Sequence, residues 1–334
     1  MGNEELTVST CTVCICTRNR VKYLGPTIDA VLKQYLSNSR FDVLVVDNGS
    51  TDGTAEMVRS RFGSGTRVPV RCVREEKAGL SRARNRAIAE TSGEYIAFID
   101  DDAIAEPGWL QAILHGFSLE PGIDSVGGAV VPVYEEEVPS WLAGRIHGIF
   151  SPWMPPTGAQ LVSYPRYPYG ANIAFRRSVF ARVGLFREDL GYRGDRLMPA
   201  EETELLLRLE KGGGKILSEP QAVVRHLIPA FRTSRPYLRK RFYSVGKGHH
   251  ELEKTRRHDF ESWGYREIVN AMARGWSLYK SARAGIRRYG RLSDHDSFDK
   301  ELSAWVVKGR ATALLREAGE HFWTRTFKWG ISRK

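Results

Sequence analysis

Three consecutive aspartates, Asp100, Asp101 and Asp102, follow an apolar run of the chain. Neighbouring carboxylates repel each other and raise each other's pKa values unless a cation or a hydrogen-bond network compensates them. A turn ahead of a helix opened by Pro107 explains one acid, Glu106 or Asp102, but not three in succession. Mg²⁺ and Mn²⁺ bind carboxylate oxygens and complete their shells with phosphate oxygens. The cluster therefore predicts a divalent cation that holds a phosphorylated substrate.

A fourth aspartate, Asp47, ends the apolar run VLVV and begins the segment DNGSTDGT. The turn-forming composition of this segment allows Thr51 or Asp52 to cap a helix that begins near Thr54. We expect Asp52 to be the cap. A cap is less natural for Asp47, which directly follows a strand, so we expect Asp47 to contact a ligand.

Short β-rich runs alternate with helical patterns over the first 130 or so residues. Strands are predicted at residues 13–17, 42–47, 68–73 and 94–100. Such alternation is typical of a mostly parallel sheet with helices on its faces, in which ligands bind beyond the carboxyl ends of the strands. Because Asp47 and Asp100 each end a strand, the pattern places both side chains in one crevice.

The length of 334 residues suits one large domain with an appendage, or two domains. The first residues lack the pattern of a secretory signal, and no apolar stretch is long enough to span a membrane, so we expect a cytoplasmic protein. Cys14 and Cys16 lie two residues apart on one predicted strand face. Cys11 and Cys72 add no second pair at zinc spacing, so we expect small apolar side chains and no metal cluster.

The net charge of +11 is distributed unevenly. Residues 1–230 carry 26 Lys and Arg against 28 Asp and Glu, whereas residues 231–334 carry 24 against 11. In the C-terminal region these basic residues are interleaved with Trp, Phe and Tyr. Three interpretations stay open: packed helices with a basic outer face, contact with an anionic membrane surface, and nucleic-acid binding. We rank packing with membrane contact first and nucleic acid last, because no zinc-finger, RRM or KH signature occurs.

Seven segments follow one another along the chain: VCICTRNR, VLVVDNGSTDGT, GLSRARNRAI, GEYIAFIDDDAIAEPGWL, YGANIAFRRSVFARVGLF, AEETELLLRLEKGG and VVRH. Their order and spacing resemble the inverting family-2 glycosyltransferases with a GT-A fold, from about residue 11 to about residue 230. The resemblance implies an α/β, Rossmann-like GT-A catalytic domain over residues 1–230, with a mixed, mostly parallel sheet flanked by helices. Residues 231–334 would form a basic, aromatic-rich, helical extension.

The resemblance also implies an activity. A sugar would pass from a nucleoside-diphosphate donor, usually a UDP-sugar, to a hydroxyl group of a saccharide or lipid-linked acceptor, with inversion and with Mn²⁺ or Mg²⁺ as cofactor. The implied process is polysaccharide or cell-envelope glycan assembly, and a lipid-linked acceptor would place the enzyme at the inner face of the plasma membrane. The Q-x-x-R-W motif and membrane helices of processive synthases are lacking, so transfer of one sugar or a few is expected.

Matching positions carry the family's nucleotide-binding residues onto this sequence. Asp47 matches the acid that recognises the nucleobase, and Thr17 and Arg20 stand in the first loop of the nucleotide pocket. Arg84 and Asn85 match the segment beside the nucleotide and ribose.

The D-x-D motif of the family matches Asp100 and Asp102, with Asp102 as the direct metal ligand and Asp100 toward ribose or metal. Asp101 fills the variable middle position, and its side chain would turn away from the other two if the strand continued. His226 matches a histidine that completes the metal shell in some members. Asn172 resembles residues that line the donor-sugar and acceptor cleft, although a buried Asn in a strand can instead satisfy backbone groups.

The family's second acidic motif, whose second acid is the general base, reads Glu201-Glu202 here. Glu202 occupies the base position. Because it is one methylene longer than the usual Asp, Glu201 remains a rival. Two acids in the first turn of a helix are also favoured by the helix dipole alone, and it is the family pattern that tilts the choice to catalysis.

Two other classes of function compete with this one. A nucleotidyltransferase also uses a D-x-D metal pair, but TRNR stands where its glycine-rich phosphate loop would follow the first strand. A basic membrane-binding or nucleic-acid-binding protein without catalysis would account for the C-terminal region and leave the acidic residues unexplained. GGGKI lacks the final Ser or Thr of a P-loop, and GSGTRV precedes a strand where a dinucleotide fingerprint opens a helix.

Overall fold

The computed structural model describes residues 11–36, 41–142, 150, 155, 157–194, 196–257, 264–290 and 295–331. The chain divides into two compact units. Unit 1 comprises Met1–Glu135, Gly148–Gly194 and Glu201–Ile228, and unit 2 comprises Glu136–His147, Asp195–Ala200 and Pro229–Lys334. The predicted division into a catalytic domain over residues 1–230 and a C-terminal region over residues 231–334 stays a prediction.

Strands and helices alternate through unit 1. Its described strands are β1 (Cys11–Thr17), β2 (Phe41–Asp47), β3 (Val70–Arg74), β4 (Tyr95–Ile99), β5 (Ala103–Ala105), β6 (Ile123–Tyr134), β7 (Gln160–Leu161), β8 (Asn172–Arg176), β9 (Gly191–Arg193) and β11 (Lys215–Ile228). Strand β10 (Arg196–Met198) belongs to unit 2. Its described helices are α1 (Val21–Leu32), α2 (Thr54–Phe62), α3 (Leu80–Glu90), α4 (Trp109–Ser118), α5 (Ser178–Val183) and α6 (Glu201–Lys211). The four strands predicted from β-rich runs correspond to β1–β4.

One mixed sheet runs through unit 1 in the order β3-β2-β1-β4-β8-β6-β11-β5, with β7 paired to β11. β3, β2, β1 and β4 are parallel, β8 is antiparallel to both of its neighbours, and β11 is parallel to β6. The predicted mixed, mostly parallel sheet is therefore confirmed.

The two faces of this sheet are covered by separate apolar clusters. Val43 and Val45 of β2 belong to the cluster that α1, α2 and α4 cover, whereas Leu44 and Val46 belong to the cluster that α3, α5 and α6 cover. This alternation is the period-2 pattern of a strand buried on both sides. Cys14 lies in the second cluster and Cys16 packs against it, which confirms that they share a face.

Helix α4 begins later than expected. Pro107 precedes the helix, and Gly108, with φ of +82°, is the N-cap before Trp109. A residue in the left-handed region cannot continue a right-handed helix from Pro107. The prediction that Pro107 opens the helix is therefore wrong by two residues.

Strand β11 carries an irregularity where it passes β6. The register shifts between Glu219 and Val223, opposite Gly128 and Ala129. A Cβ atom on Gly128 would lie 1.9 Å from the carbonyl oxygen of Ala222, so only glycine allows the bulge to pass so closely. Beyond the bulge, β11 pairs with both β6 and the short strand β5.

Unit 2 is mainly helical in its described part. Its long helices are α7 (Arg235–Arg257), α8 (Tyr265–Tyr289) and α9 (His295–Ile331). Helix α9 packs against both α7 and α8, and His250 of α7 lies 2.7 Å from Glu317 of α9. A helical C-terminal region was predicted and is observed. Among the described helices, none combines the length and apolar character needed to cross a membrane.

Candidate active site

The carboxyl ends of the parallel strands bring the predicted residues to one edge of the sheet. Thr17 and Asp47 end β1 and β2 and lie opposite each other, and Asp47 lies opposite Arg74 of β3. β4 ends at Ile99, directly before Asp100. Thr17, Asp47 and the aspartate cluster therefore lie at one edge of the sheet, and the crevice expected there stays a prediction.

The aspartates form a turn that joins β4 to β5. β5 pairs antiparallel with β11, so that Ala103 lies opposite His226. His226 Nε2 thereby comes 2.9 Å from Asp102 Oδ1 and 3.9 Å from Asp100 Oδ2. One ligand atom from each of these three residues lies within 4.8 Å of the others. The fold thus gathers three potential metal ligands.

This ligand set fits a divalent cation such as Mn²⁺ or Mg²⁺. Carboxylate oxygens suit both ions, and an imidazole nitrogen is a common ligand of transition metals. Asp102 is 4% exposed and His226 is 9% exposed, so their facing polar atoms are largely withdrawn from water, where a bound cation would interact with them strongly.

Asp101, the middle aspartate of the turn, faces Arg20. Its Oδ1 lies 4.0 Å from Arg20 Nε, and Arg20 Nη2 lies 3.5 Å from Asp102 Oδ2. Burial and then the neighbouring Asp102 carboxylate raise the pKa of Asp101 to about 7, although Arg20 opposes the shift. The strand does not continue through Asp101, so its side chain is placed by the turn and by Arg20.

Asp47 is buried at the end of β2. Its Oδ1 accepts a hydrogen bond from Ser50 N at 3.0 Å. Its Oδ2 lies 3.5 Å from Arg74 Nη1 but accepts no hydrogen bond from any described residue. Buried carboxylate oxygens are normally hydrogen-bonded, so this oxygen is suited to a ligand N–H or O–H.

Arg84 connects the aspartate cluster to the second acidic motif. Its Nη1 donates a hydrogen bond to Glu201 Oε1 at 3.1 Å, and its Nη2 lies 3.8 Å from Asp100 Oδ1. The residue is 3% exposed. The buried guanidinium, with its five N–H groups in a fixed planar arrangement, therefore holds Glu201 and lies close to Asp100.

The rings and backbone around Arg84 fix its guanidinium. It lies 5.8 Å from the ring centre of Phe98 and 5.4 Å from that of Phe186. Its Nη2 donates to the Gly170 carbonyl at 3.2 Å. A Cβ atom on Gly170 would lie 2.5 Å from that nitrogen, so the absence of a side chain at Gly170 makes room for Arg84.

Glu201 and Glu202 begin α6 but have different surroundings. Glu201 is 3% exposed and bound to Arg84, whereas Glu202 is only partly buried. Burial, then the Glu202 carboxylate, raises the pKa of Glu201 to about 8 against the opposing charge of Arg84. Ala200, directly before them, has φ of +108°, a strained conformation of the kind that clusters at functional sites.

The raised pKa gives Glu201 a pH-dependent effect on stability. At pH values between the ordinary 4.5 and about 8 the folded chain binds a proton at Glu201 that the unfolded chain has released. The stabilisation is complete below the unfolded pKa and is lost as pH rises through the folded pKa. We expect Glu201→Gln, which cannot ionise, to reduce this fall in the free energy of unfolding. Urea unfolding of both proteins across this range measures it, and parallel pH profiles would contradict it.

Asn48 was not predicted as a site residue from the sequence, yet it joins the loops that follow β1, β2 and β3. Its Nδ2 donates to the carbonyls of Glu75 at 3.1 Å and Lys77 at 2.9 Å, and its Oδ1 accepts from Gly79 N at 2.7 Å. Arg18 Nη1 donates to the Asn48 carbonyl at 2.9 Å. The only signal in the sequence is an Asn directly after a strand-ending acid.

Asp52 and Asn19 join the loop between β1 and α1 to the loop between β2 and α2 by hydrogen bonds. Asp52 accepts hydrogen bonds from the backbone N–H groups of Val21 and Thr54, each at 3.1 Å, where α1 and α2 begin. Although burial opposes ionisation, a hydrogen bond from the Thr54 hydroxyl and then these backbone bonds lower the pKa of Asp52. Asn19 Oδ1 accepts from Thr51 N at 2.8 Å. The N-cap of α2 is Gly53, with φ of +83° and no side-chain capping bond, so the prediction that Asp52 is the cap is wrong by one residue. Asp52 instead accepts from the first N–H group of both helices.

Asp52→Ala should lower the free energy of unfolding by about 1 kcal/mol, because both helices lose an acceptor for their first N–H group. Asp52→Asn is the matched control: its amide oxygen still accepts, so a smaller loss is expected. Urea unfolding at neutral pH compares the two. Equal losses would show that the loss of charge or a change in solvation, and not the loss of the hydrogen-bond acceptor, lowers the free energy of unfolding.

Comparison with known proteins identifies the family. A family model described as glycosyl transferase family 2 matches residues 12–184 of the chain. The chain belongs to glycosyltransferase family 2. This family-2 glycosyltransferase is 30% identical over 234 residues to the glucosyl-dolichyl phosphate glucuronosyltransferase of Haloferax volcanii, over 68% of this chain and 71% of that protein. It is 25% identical over 315 residues to the succinoglycan biosynthesis protein ExoM of Rhizobium meliloti, over 92% and 94% of the two chains.

Solved structures support the fold. The mannosyltransferase PcManGT from Pyrobaculum calidifontis, in complex with GDP-Man and Mn²⁺, superposes with a TM-score of 0.56 at 16% identity, over 96% of this chain and 88% of that chain. S. aureus TarS 1-349 in complex with UDP-GlcNAc gives 0.54 at 15% identity, over 90% of each chain. The predicted GT-A fold of this family-2 glycosyltransferase is confirmed.

Asn172 and Asn85, two predicted nucleotide-sugar residues of the family-2 enzyme, form hydrogen bonds within the protein itself. Asn172 is fully buried; its Nδ2 donates to the carbonyls of Ala129 and Ala222, and its Oδ1 accepts from Trp109 Nε1. Asn85 exchanges two hydrogen bonds with the backbone of Phe186. For Asn172 these contacts favour the alternative of backbone satisfaction. For Asn85, which is only partly buried, a place beside the nucleotide stays a prediction.

Proposed function

We propose that this enzyme transfers a sugar from a nucleoside-diphosphate donor, a UDP-sugar in the first instance, to a hydroxyl group of a saccharide or lipid-linked acceptor, with inversion. The observation that supports it most is the linkage of Asp100 to Glu201 through the buried Arg84. One group of residues can hold a metal and diphosphate, and the other can supply a base. A nucleotidyltransferase has no evident need for this second acidic pair, so that alternative is less well supported.

The donor side of the proposed site comprises Asp100, Asp102 and His226, which would hold Mn²⁺ or Mg²⁺. A divalent cation bound there would offset the charge on the diphosphate leaving group as a Lewis acid. Arg20 would bind a phosphate oxygen, and its side chain, 22% exposed beside Asp102, supports this role. Asp47 would accept a hydrogen bond from the nucleoside.

The acceptor side depends on the different surroundings of the two glutamates. Glu202 is the proposed base because it is partly exposed, whereas Glu201 is buried and held by Arg84. A Glu202 carboxylate oxygen would take the proton of the acceptor hydroxyl as that oxygen bonds to the anomeric carbon and the bond to the diphosphate breaks. One displacement of this kind inverts the anomeric centre. Glu201 then acts as a positioning residue.

The names of the relatives support the acceptor class. One is a glucosyl-dolichyl phosphate glucuronosyltransferase and another a succinoglycan biosynthesis protein. A lipid-linked or growing polysaccharide acceptor suits both names. We accordingly propose a role in polysaccharide or cell-envelope glycan assembly, in the cytoplasm at the inner face of the plasma membrane.

Incubation of the full chain with a panel of UDP-, GDP- and dTDP-sugars and Mn²⁺ tests the proposal, with release of the free nucleoside diphosphate as the readout. We expect one nucleotide to be released faster than the others, and the release to stop with a chelator and resume with added Mn²⁺. With a saccharide acceptor, NMR of the product would show the inverted anomer. Absence of release across the panel, or a retained anomer, would overturn the proposal.

A further inference from the structure

One face of helix α8 is exposed in the part of unit 2 that the structure describes. Its buried residues, among them Ile268, Ala271 and Ala282, lie on one side of the helix, along which α9 packs. The exposed side carries a stripe of residues that recur every three or four positions. The α8 stripe consists of Arg266, Val269, Ala273, Trp276, Lys280, Arg283 and Arg287, and all seven are exposed.

The charge of the α8 stripe has one sign. Four of its seven residues are basic and none is acidic. Within the described part of the chain these four bases form no ion pair. The one acid in the sequence of α8, Glu267, accepts a hydrogen bond from Gly264 N at the start of the helix. The positive charge of the stripe is therefore available to an anionic partner.

The apolar residues of the α8 stripe lie among these charges. Trp276 is 55% exposed and Val269 is 46% exposed, and Ala273 lies between them on the same side. Leaving a tryptophan and a β-branched side chain in water is unfavourable. A partner that accepts basic and apolar groups along a single helix face would remove that cost.

We infer that the α8 stripe is a docking surface for an anionic lipid membrane. Lys and Arg are attracted to lipid phosphates and extend to the headgroups, Trp settles at headgroup level, and aliphatic side chains enter the acyl boundary. A nucleic acid would neutralise the bases and stack on Trp276, but it would leave Val269 in water. The stripe thus gives the proposed position at a membrane a physical basis.

Vesicle co-sedimentation of the full chain, without nucleotide sugar, tests the α8 stripe separately from glycosyl transfer. We expect binding to vesicles that contain phosphatidylglycerol, weak binding to pure phosphatidylcholine, and loss of binding at high salt. The triple variant K280Q/R283Q/R287Q should bind anionic vesicles about tenfold or more weakly. Trp276→Ala should also weaken binding. Donor hydrolysis without vesicles should be unchanged in these variants.

The matched control is the triple variant R59Q/R61Q/R86Q, which removes the same charge from exposed positions on α2 and α3. It should bind like the unmodified chain. Equal loss in both triple variants would show that net charge alone acts and would overturn the inference. Equal sedimentation with neutral and anionic vesicles, no sedimentation with either, or displacement from vesicles by a short oligonucleotide would overturn it as well.

Discussion

Glu202→Gln should lower kcat by about 10²–10⁴-fold and leave donor affinity nearly unchanged. The amide has the shape of the carboxylate but cannot take the acceptor proton, and general-base catalysis is typically worth that factor. Glu202 is partly exposed at the first turn of α6 and is not among the three potential metal ligands. Steady-state transfer rates and titration calorimetry with the donor nucleotide separate the two effects.

Glu201→Gln is the matched variant, one residue away with the same chemical change. Because burial already raises the pKa of Glu201 to about 8, its neutral form resembles the amide, and we expect a loss of about tenfold or less below that pH. Normal turnover by Glu202→Gln together with a collapse in Glu201→Gln would assign the base role to Glu201 and refute the proposed division of labour.

Asp102→Ala should abolish both metal-dependent donor binding and transfer. Asp102 is 4% exposed and lies against both His226 and Arg20, so its removal takes away a proposed carboxylate ligand and the acid that these two side chains share. Manganese binding followed by electron paramagnetic resonance, and donor binding with and without Mn²⁺, measure the loss without relying on turnover.

Asp101→Asn is the control for Asp102→Ala because it changes the same turn. Asp101 faces Arg20 and is outside the group of potential ligands. We expect it to retain Mn²⁺ binding within a few-fold. Asp102→Ala that binds Mn²⁺ as tightly as the unmodified protein, or Asp101→Asn that loses it, would show that a different set of residues holds the cation.

The sequence was sufficient for the part of the fold that depends on local pattern. The runs that became β1, β2 and β4 are apolar on both faces, and such runs between helical segments predict a parallel sheet. Because parallel strands end at one edge, Asp47 and Asp100 could be placed together without any knowledge of the packing. The family resemblance added the pairing of acidic motifs that periodicity alone does not provide.

The sequence was insufficient where contacts join distant residues. Arg84 and Glu201 are 117 positions apart, and nothing local indicates that a helix in the first half of the unit holds the acid that begins α6. The engagement of Asn85 and Asn172 by backbone groups is similarly non-local: Asn172 binds carbonyls on two other strands. Whether such an amide faces a ligand or a carbonyl is decided by tertiary packing.

The bulge in β11 determines which side of the sheet each later residue of this strand faces. β11 advances four residues, from Glu219 to Val223, while β6 advances one, from Gly128 to Ala129, so β11 has three additional residues. Because side chains alternate along a strand, an odd number of additional residues exchanges the two sides of β11 beyond the bulge. Deleting a single residue there would turn the imidazole of His226 to the reverse side while Asp100 and Asp102 stayed in place. The length of the bulge therefore decides whether a histidine at this position faces the proposed metal site.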